Sequence, residues 1–591
     1  MNSKDIEAIY PLSPMQQGIL FHTLYDAGSG EYVVQLVCSL KGELNVCAFE
    51  QAWNAAVARH TSLRTSFAWK THGEPLQLVR RRVGVNVGHQ DWRKVDHREQ
   101  EELLNAHLQE DRARGFGLNK APLMRMEVMR TERRSCRFVW SCHHVVLDGW
   151  SLPLLLKEVL EIYEAHVQGR EPKLGRARPY EDYIDWLRRQ DMAGAEKYWR
   201  QLLKGLSEPT TLGMDGPGNN RAGDAGQAEE RLSLSKADTA RLVDYAKAER
   251  VTLSTIVQGA WAVLLSRYSG QADVLFGMTV SGRPAELAGV GQMVGLFINT
   301  LPVRIEVIGA RRTADWLRAL QQQQAETRQY EYSSLVQIHG WSELPRGLAL
   351  FESIVVFENY PVNGDGVAAR SGLNVDDMHS VEQNNYPITF SIQPGNALEF
   401  MISYARRRFE RASVRRMLEH LERLVAGIGA GARLLRDIQM LGPGERYELV
   451  VERNATRRHH LTATGLPDLF EEQAERTPEA VGVVCGAQRH TYLDLNNRAN
   501  QLARYLRRLE VGPEKSVGIL MERSVDMVVA ILAVLKAGGA YVPLDAAYPQ
   551  ERIEYIVADA GLRVIVSETG LRSRVAAEGV KVLCIDSARA V

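Results

Sequence analysis

Residues 141–150 are Ser-Cys-His-His-Val-Val-Leu-Asp-Gly-Trp, and they lie between two segments of different periodicity. The segment before them, Arg137 to Ser141, is aromatic and β-branched, which is typical of a strand. In the segment after them, apolar residues from Leu152 to Tyr163 recur at i, i+3, i+4 and i+7, which predicts an amphipathic helix. The residues between the two segments therefore form a strand-to-helix turn.

Two adjacent histidines, His143 and His144, open this turn. Because neighbouring residues on a strand point to opposite faces, we expect only one of them to project into a cleft and the other to face the fold. Asp148 is close enough around a tight turn to organise the loop. Gly149 permits a backbone conformation that a side chain would forbid.

Three interpretations of the turn are open from these residues alone. In the first, both histidines are structural. In the second, the turn contributes to a metal site, for which His-x-x-x-Asp supplies two ligands and no third is marked in the sequence. In the third, one histidine acts as a general base or as a polar catalytic group.

Length and charge narrow the class of protein. At about 150 residues per domain, 591 residues predict several folded units. Lys and Arg together number 72, as do Asp and Glu, so the formal net charge is zero. A nucleic-acid-binding protein normally carries a basic excess, so no nucleic-acid partner is expected. The six cysteines form no Cys-x-x-Cys pair, which disfavours a disulfide scaffold and a zinc ribbon.

The sequence also bears on the cellular compartment. The N-terminus has acidic residues where a secretory signal would need an apolar run. The most apolar stretch, Met527 to Leu535, has nine residues, whereas a membrane-spanning helix needs roughly 20. We therefore expect a cytoplasmic protein with no membrane partner.

Residues 1–445 mix strands and helices throughout. A helical period begins near Val251 and a strand follows at Val274 to Phe276. A Gly-, Asp- and Asn-rich stretch from Gly213 to Gly226 predicts a loop. The polar residues 446–465 predict a linker, and the pair His459-His460 inside it is assigned no function.

Residues 466–591 alternate strands and helices. Strands are predicted at Glu479 to Cys485, Ser516 to Leu520, Leu562 to Ser567 and Lys581 to Ile585. Helices are predicted at Leu493 to Leu506 and at Ser524 to Ala537, the second ending at Gly538-Gly539. This pattern indicates the opening of a βα-alternating domain.

Several segments of residues 1–445 match, in order, the motifs of one known family. They are Tyr10 to Gly18 (YPLSPMQQG), Arg59 to Thr65 (RHTSLRT), His143 to Ser151 (HHVVLDGWS), Tyr180 to Trp186 (YEDYIDW), Val294 to Thr300 (VGLFINT) with Arg304, and Asn385 to Pro387 (NYP). With these motifs the chain resembles the condensation domains of nonribosomal peptide synthetases, relatives of chloramphenicol acetyltransferase. The resemblance favours the catalytic interpretation of the histidine pair.

The resemblance implies a mixed α/β fold of two chloramphenicol-acetyltransferase-like subdomains, at 1–175 and 176–445, arranged in a V. It implies a peptide-bond-forming acyltransferase that joins a donor acyl or peptidyl thioester to an acceptor aminoacyl thioester. Both substrates would be carried on 4′-phosphopantetheine arms of carrier domains, and the chain itself would bind no cofactor and no metal. The rival interpretation is a non-catalytic carrier-recruitment scaffold.

The resemblance also assigns roles around the turn. His144 would serve the acceptor amine, either by removing a proton or by positioning it, and both roles need a neutral imidazole near pH 7, which an ordinary histidine pKa allows. His143 would support the loop. Asp148 would be a structural anchor paired to an arginine, with Arg283 as the first partner and Arg64 as the second.

Gly149 could contribute a backbone N–H to the thioester oxygen and leave room for the phosphopantetheine arm. Trp150 is expected to pack against the loop rather than to bind substrate.

Related domains with other activities differ at these residues. Epimerisation domains continue the motif as Asp-x-Val-Ser-Trp, whereas this chain has Asp148-Gly149-Trp150-Ser151, and cyclisation domains replace the histidines with aspartate. Residues 13–22 and Leu147 resemble condensation domains that act after an epimerase. The resemblance therefore implies a D-configured donor and an L-configured acceptor.

Residues 466–591 resemble the N-terminal part of an adenylation domain of the acyl-CoA-synthetase type. Thr491 to Leu495 and Leu535 to Asp545 match its first two core motifs. A Ser/Thr/Gly-rich phosphate loop ending in lysine is not found in these residues, so no adenylation activity is expected from them. We expect the chain to be a fragment of a larger synthetase or a prematurely ended product.

The first residues suggest how the donor arrives. Only nine residues precede Tyr10, so the donor carrier is expected on a separate upstream protein, and a downstream carrier is expected to bring the acceptor. Ile6, Ala8 and Ile9 predict about two turns of helix with one apolar edge. Two interpretations are open: the segment is a frayed terminus, or such a helix forms half of a docking contact that recruits the upstream protein.

Overall fold

The computed structural model of the chain describes residues 5–25, 30–69, 74–213, 226–345, 347–358, 373–457, 465–576 and 578–587. The chain divides into two compact units, Met1–Glu452 and Arg453–Val591. The division falls inside the predicted linker 446–465. Most of the predicted loop from Gly213 to Gly226, and the pair His459-His460, lie outside the described residues.

The first unit is a mixed α/β structure, as predicted. Its strands are β1 (Ile6–Pro11), β2 (Val33–Lys41), β3 (Thr65–Ala68), β4 (Leu76–Arg80), β5 (Val87–Asp91), β6 (Met124–Glu132), β7 (Ser135–His143), β8 (Gln227–Ser233), β9 (Asp273–Val280), β10 (Asn299–Glu306), β11 (Ser353–Phe357), β12 (Asn374–Val381), β13 (Ile388–Gln393) and β14 (Glu399–Ala405). Its helices are α1 (Pro14–Tyr25), α2 (Val46–Arg59), α3 (His97–Arg114), α4 (Ser151–Gln168), α5 (Glu181–Leu187), α6 (Met192–Leu202), α7 (Lys236–Glu249), α8 (Leu253–Ser269), α9 (Thr313–Thr327), α10 (Leu335–Trp341), α11 (Arg411–Gly429) and α12 (Pro443–Tyr447).

The histidine pair stands at the end of the central strand of one sheet. This sheet has the order β12-β2-β7-β6-β5, and β7 runs antiparallel to both β2 and β6. Its core contains Phe49 and Trp53 of α2, which pack against Phe138 and Trp140 of β7. The strand and helix predicted on either side of the turn are confirmed as β7 and α4.

One strand of this sheet comes from the second half of the chain. Strand β12 pairs antiparallel with β2, with Val375 opposite Leu40. Residues that the sequence assigns to the second subdomain therefore complete the sheet of the first. The end of β12, Val381, leads directly into residues that face the histidine turn.

The second large sheet has the order β10-β9-β11-β13-β14-β8. Helix α8 is buried against it, and its Trp261 stacks on Phe390 of β13 with ring centroids 5.1 Å apart. The predicted helix after Val251 and the predicted strand at Val274 to Phe276 are confirmed as α8 and β9. Strands β9, β11 and β14 contribute residues to the cavity that His144 lines.

The N-terminal helix predicted from Ile6, Ala8 and Ile9 is wrong. These residues form β1, which pairs antiparallel with β4 in a three-stranded sheet of order β1-β4-β3. The burial alternates along the strand, since Ile9 is exposed and Tyr10 is buried. Alternating burial with a period of two is typical of a strand that buries one face. The short segment is stabilised by pairing with β4 rather than by its own helical propensity.

The second unit alternates strands and helices, as predicted. Its elements are α13 (Leu466–Arg476), β15 (Val481–Cys485), β16 (Gln488–Thr491), α14 (Tyr492–Arg508), β17 (Ser516–Leu520), α15 (Val525–Lys536), β18 (Ala540–Leu544), α16 (Gln550–Asp559), β19 (Val564–Ser567) and β20 (Lys581–Cys584). A parallel sheet has the order β18-β17-β19-β20, and β15 pairs with β16. Gly538 follows α15 with a φ of 88°, which suits a glycine that ends a helix. No helix among the described residues is both long and apolar enough to cross a bilayer.

Candidate active site

His143 faces the interior of the first unit. It is 1% exposed, and its Nδ1 accepts a hydrogen bond from the Val145 N–H at 3.2 Å. The Nε2 atom lies 3.3 Å from the Thr23 hydroxyl oxygen, which itself donates to the Ile19 carbonyl. Burial, with a smaller contribution from His144, lowers the pKa of His143 to about 3. His143 is therefore a neutral residue that holds the turn.

His144 points in the other direction and lines a cavity. Its Nδ1 lies 2.7 Å from the Leu147 carbonyl oxygen. Because a carbonyl only accepts, Nδ1 carries a proton and Nε2 is the atom presented to the cavity. The His144 backbone N–H donates to the Tyr32 carbonyl at 2.8 Å, which anchors the residue to the start of β2.

The Nε2 atom of His144 lies 3.2 Å from the Oε1 atom of Glu382. Burial of the imidazole opposes its charge, but the Glu382 carboxylate outweighs burial and raises the pKa of His144 to about 9. A pKa of about 9 contradicts the predicted neutral imidazole near pH 7, because His144 and Glu382 form an ion pair.

Asp148 lies behind the turn, away from the cavity. It is 1% exposed, and its Oδ1 accepts from the Ser151 N–H at 2.8 Å and from the Ser151 hydroxyl at 2.7 Å. Its Oδ2 accepts from the Phe297 N–H at 3.0 Å. These bonds hold Ser151, the first residue of α4, and tie it to the segment before β10.

Arg283 supplies the positive charge beside Asp148. Its guanidinium donates to both carboxylate oxygens of Asp148, at 3.1 and 3.2 Å, and to the carbonyls of Val290 and Met293. The guanidinium carbon also lies 4.1 Å above the centre of the Phe297 ring. The pair therefore locks the histidine turn to residues 290–297.

Arg64, the second partner expected for Asp148, is placed elsewhere. It donates to the Glu7 carboxylate at 2.6 Å and to the Arg80 carbonyl. Arg64 follows α2 in a short turn and faces the three-stranded sheet of β1, β3 and β4, so it braces that sheet and does not contact Asp148.

Gly149 lines the cavity, but its backbone is not left-handed. Among the described residues it is not one of the glycines with a positive φ, so the expectation that the turn needs a special backbone conformation there is wrong. Gly149 does line the same cavity as His144. Trp150, as expected, packs at the loop, where its indole N–H donates to the Gly291 carbonyl at 3.2 Å.

The other family motifs surround the turn. The Gln16 amide of the first motif donates to the Val145 carbonyl at 3.0 Å. Ser62 of the second motif donates to the Val294 carbonyl at 3.0 Å, and the Tyr180 hydroxyl of the fourth donates to the Leu296 carbonyl. These motifs therefore position the backbone on both sides of Asp148.

Two openings meet near His144. One is a cavity of about 480 Å³, walled by α1, by strands β9, β11 and β14 and by the residues after β12. The other, of about 830 Å³, is lined by Arg112 of α3 and by residues of β8 and β14. Glu229, Glu382 and Ser403 line both.

A hydrogen-bonded chain stabilises the wall of the smaller cavity. The Tyr32 hydroxyl donates to Asn385 Oδ1 at 2.7 Å, and the Asn385 amide lies 3.2 Å from Nε2 of His22. The Tyr32 N–H also donates to the Gln383 carbonyl at 2.9 Å. Residues 382–385 are thereby held against the start of β2 and the end of α1.

The sequence interpretation missed Glu382 and His22. Glu382 lies three residues before the Asn385-Tyr386-Pro387 motif, in Val-Glu-Gln-Asn-Asn-Tyr-Pro. A carboxylate so close to a family motif was the feature from which the sequence could have identified it. His22 closes the segment 13–22 and was not weighed as a site residue.

Comparison with known proteins agrees with this architecture. The family profile described as Condensation domain matches residues 6–450, and the profile described as AMP-binding enzyme matches residues 470–590. The chain belongs to the condensation-domain family of nonribosomal peptide synthetases, and it continues into a partial AMP-binding region.

The relatives are components of peptide synthetases. A component of the linear gramicidin synthase of Brevibacillus parabrevis is 44% identical over 590 residues, which is 99% of this chain and 8% of that protein. A component of the mycosubtilin synthase of Bacillus subtilis is 37% identical over 588 residues, which is 98% of this chain and 22% of that protein. The chain thus spans less than a quarter of the length of either relative.

Solved structures share the fold. A four-domain nonribosomal peptide synthetase bound to AMP and glycine has a TM-score of 0.74 at 19% identity, covering 99% of this chain and 45% of that one. The first condensation domain of the calcium-dependent antibiotic synthetase, in complex with a substrate analogue, has a TM-score of 0.63 at 18% identity. It covers 74% of this chain and all of that one.

Proposed function

We propose that residues 1–450 form an amide bond between a donor acyl or peptidyl thioester and the amine of an acceptor aminoacyl thioester. The observation that supports this most directly is the position of His144, whose Nε2 faces a cavity between the two large sheets while its Nδ1 is held by the Leu147 carbonyl. A histidine fixed in this way can act on a nitrogen that enters the cavity.

The bonds and protons of the reaction balance as follows. The amine nitrogen forms a C–N bond to the thioester carbon, the C–S bond breaks, and the thiolate leaves. An acceptor that begins as an ammonium loses two protons, one of which ends on the thiolate. His144 in its neutral form receives the other through Nε2 and returns it to solvent.

The remaining site residues act through the turn. Asp148, paired with Arg283, keeps α4 and residues 290–297 together, so that His144 keeps its place relative to the second sheet. His143 fills the interior side of the turn. Gly149 leaves space beside His144 for the thioester, and its backbone N–H is our candidate donor to the thioester oxygen.

Two carrier domains bearing 4′-phosphopantetheine are the proposed partners. The upstream carrier brings the donor, and the downstream carrier brings the acceptor. We further propose that the terminal residue of the donor is D-configured, on the resemblance of residues 13–22 and Leu147 to domains that act after an epimerase.

Residues 466–591 are proposed to have no adenylation activity by themselves. They contain the motif from Leu535 to Asp545, which includes β18, but their sequence has no Ser/Thr/Gly-rich loop ending in lysine. ATP–pyrophosphate exchange by the 591-residue chain, compared with a complete adenylation domain, measures this directly.

The rival function is a carrier-recruitment scaffold without chemistry. Both functions predict carrier binding, but only the proposed one predicts an amide product. Supplying both loaded carriers in trans and detecting the joined product by mass spectrometry separates the two. Carrier binding without any product would favour the scaffold.

A further inference from the structure

We propose that Glu382 binds the α-ammonium of the acceptor, so that the acceptor replaces the imidazolium as the cation paired with this carboxylate. This inference rests on the proposed function, whose acceptor is an amine. Beyond that function, the inference names Glu382 as the group that binds the acceptor and predicts that the site prefers a cationic acceptor.

The first support is geometric. The Glu382 carboxylate is 3.2 Å from Nε2 of His144, so any group bound to Glu382 lies beside the nitrogen that serves the amine. The Glu382 side chain is 43% exposed, whereas that of His144 is 7% exposed. The carboxylate therefore has surface available to an incoming cation while remaining paired with the buried imidazole.

The second support is position. Glu382 follows β12 at the point where the 480 Å³ and 830 Å³ cavities meet, and it lines both. Its backbone neighbours are fixed by the Tyr32 and Asn385 hydrogen bonds. A substrate that enters from either side therefore reaches this carboxylate.

The third support is the charge of the smaller cavity. Its described lining includes three carboxylates, Glu229, Glu358 and Glu382, and no lysine or arginine. Glu229 is paired with Arg231 at 3.0 Å, and Glu358 accepts from the Gln393 amide at 2.9 Å. With no lysine or arginine in the described lining, no permanently charged side chain of the cavity competes there with an incoming ammonium.

The alternative is that Glu382 only fixes the orientation of His144. The Leu147 carbonyl already sets the tautomer, and the Tyr32 carbonyl already anchors the backbone of His144. A solvent-facing carboxylate is not needed for either task. If Glu382 only oriented His144, the exposure of its side chain would have no explanation. A role in binding the ammonium explains that exposure.

The test compares two probes that differ in one group. They are the amide analogues of alanyl-pantetheine, which carries an α-ammonium, and of lactyl-pantetheine, which carries an α-hydroxyl. Both are titrated into the 591-residue chain, its Glu382→Gln variant and a Glu399→Gln control, with the imidazole resonances of His144 followed by NMR. Glu399 is an exposed carboxylate on β14 and is not among the described lining of either cavity.

We expect the wild-type chain and Glu399→Gln to bind the alanyl probe at least tenfold more tightly than the lactyl probe, which is the usual scale of one charge-assisted contact. Glu382→Gln should lose that preference and should show a lowered His144 pKa without any ligand. Equal affinity for the two probes in the wild-type chain, retention of the preference in Glu382→Gln, or binding of neither probe would overturn the inference.

The proposed function is read out separately, because neither probe can act as a donor. If the chain discriminates the probes but forms no amide from loaded carriers, the role of Glu382 stands and the proposed function fails. If the chain forms the amide but does not discriminate the probes, the proposed function stands and the role of Glu382 fails.

Discussion

Nε2 of His144 and Oε1 of Glu382 are 3.2 Å apart, although the two residues come from opposite halves of the condensation unit. Their approach depends on β12, which leaves the second half of the chain and completes the sheet that carries the histidine turn. The imidazole of His144 and the carboxylate that raises its pKa thus meet only in the folded unit.

The first prediction concerns pH. Because Glu382 raises the folded-state pKa of His144 to about 9, above the ordinary value near 6.5, the pair stabilises the fold fully between about pH 4.5 and pH 6.5 and less as the pH rises through 9. The rate of transfer, which needs a neutral imidazole, should instead rise with pH. At low acceptor concentration we expect it to rise about tenfold per pH unit until near pH 9.

The Glu382→Gln variant provides the comparison for that profile. It removes the charge that raises the pKa of His144, so its midpoint should move to lower pH. Using one acceptor for both proteins cancels the titration of the amine itself. Identical midpoints in the two pH–rate profiles would show that Glu382 does not control the charge of His144.

The second prediction concerns the buried pair behind the turn. Asp148→Ala leaves the Arg283 guanidinium, whose side chain is 5% exposed, without its carboxylate, and we expect a loss of about 3–5 kcal/mol in the free energy of unfolding. Glu196→Ala, which breaks the exposed pair with Arg200, should cost at most about 0.5 kcal/mol.

Urea unfolding followed by tryptophan fluorescence measures both variants. All ten tryptophans lie in the first unit, so the signal reports that unit. A loss for Asp148→Ala no larger than that for Glu196→Ala would mean that the pair does not brace the turn.

The third prediction concerns donor stereochemistry. Donors that end in a D- or an L-residue are loaded on the same upstream carrier and offered in parallel to the chain with one loaded acceptor carrier. The D-terminated donor should give the faster single-turnover rate. A clear preference for the L-terminated donor would contradict the proposed class.

The fourth prediction concerns the N-terminal strand. Since β1 pairs with β4 and Glu7 pairs with Arg64, deleting residues 2–8 removes structural contacts. The deletion should lower the urea midpoint and slow transfer from a carrier-bound donor and from a small soluble thioester by the same factor. A loss confined to the carrier-bound donor would instead favour the docking role that the sequence suggested.

Local pattern was sufficient for much of the fold. Strand β7, helix α4 and the alternating elements of the second unit follow from periodicity over several residues, because each such element buries one face. The N-terminal segment was mistaken for a helix, because its three apolar positions, Ile6, Ala8 and Ile9, fit either period. Its pairing with β4 decides the structure, and that pairing lies far along the chain.

The site was predictable where its motif is contiguous. His143, His144 and Asp148 are found together in the sequence, and Arg283 could be nominated as a partner from its residue type. Glu382 could not be placed, because its approach to His144 depends on the crossing of β12 into the first sheet. The charge of His144 follows from that approach, so the neutral imidazole assumed from an ordinary pKa was wrong.

The catalytic role of His144 is tested most directly by single-turnover transfer in His144→Ala with both carriers loaded. His166→Ala, an exposed histidine in the last turn of α4, is the matched control, and tryptophan fluorescence verifies that both variants are folded. We predict that His144→Ala loses at least roughly 100-fold in rate, the lower range for one acid–base group, while His166→Ala matches the wild-type chain. A folded His144→Ala variant that transfers at the wild-type rate would contradict this role.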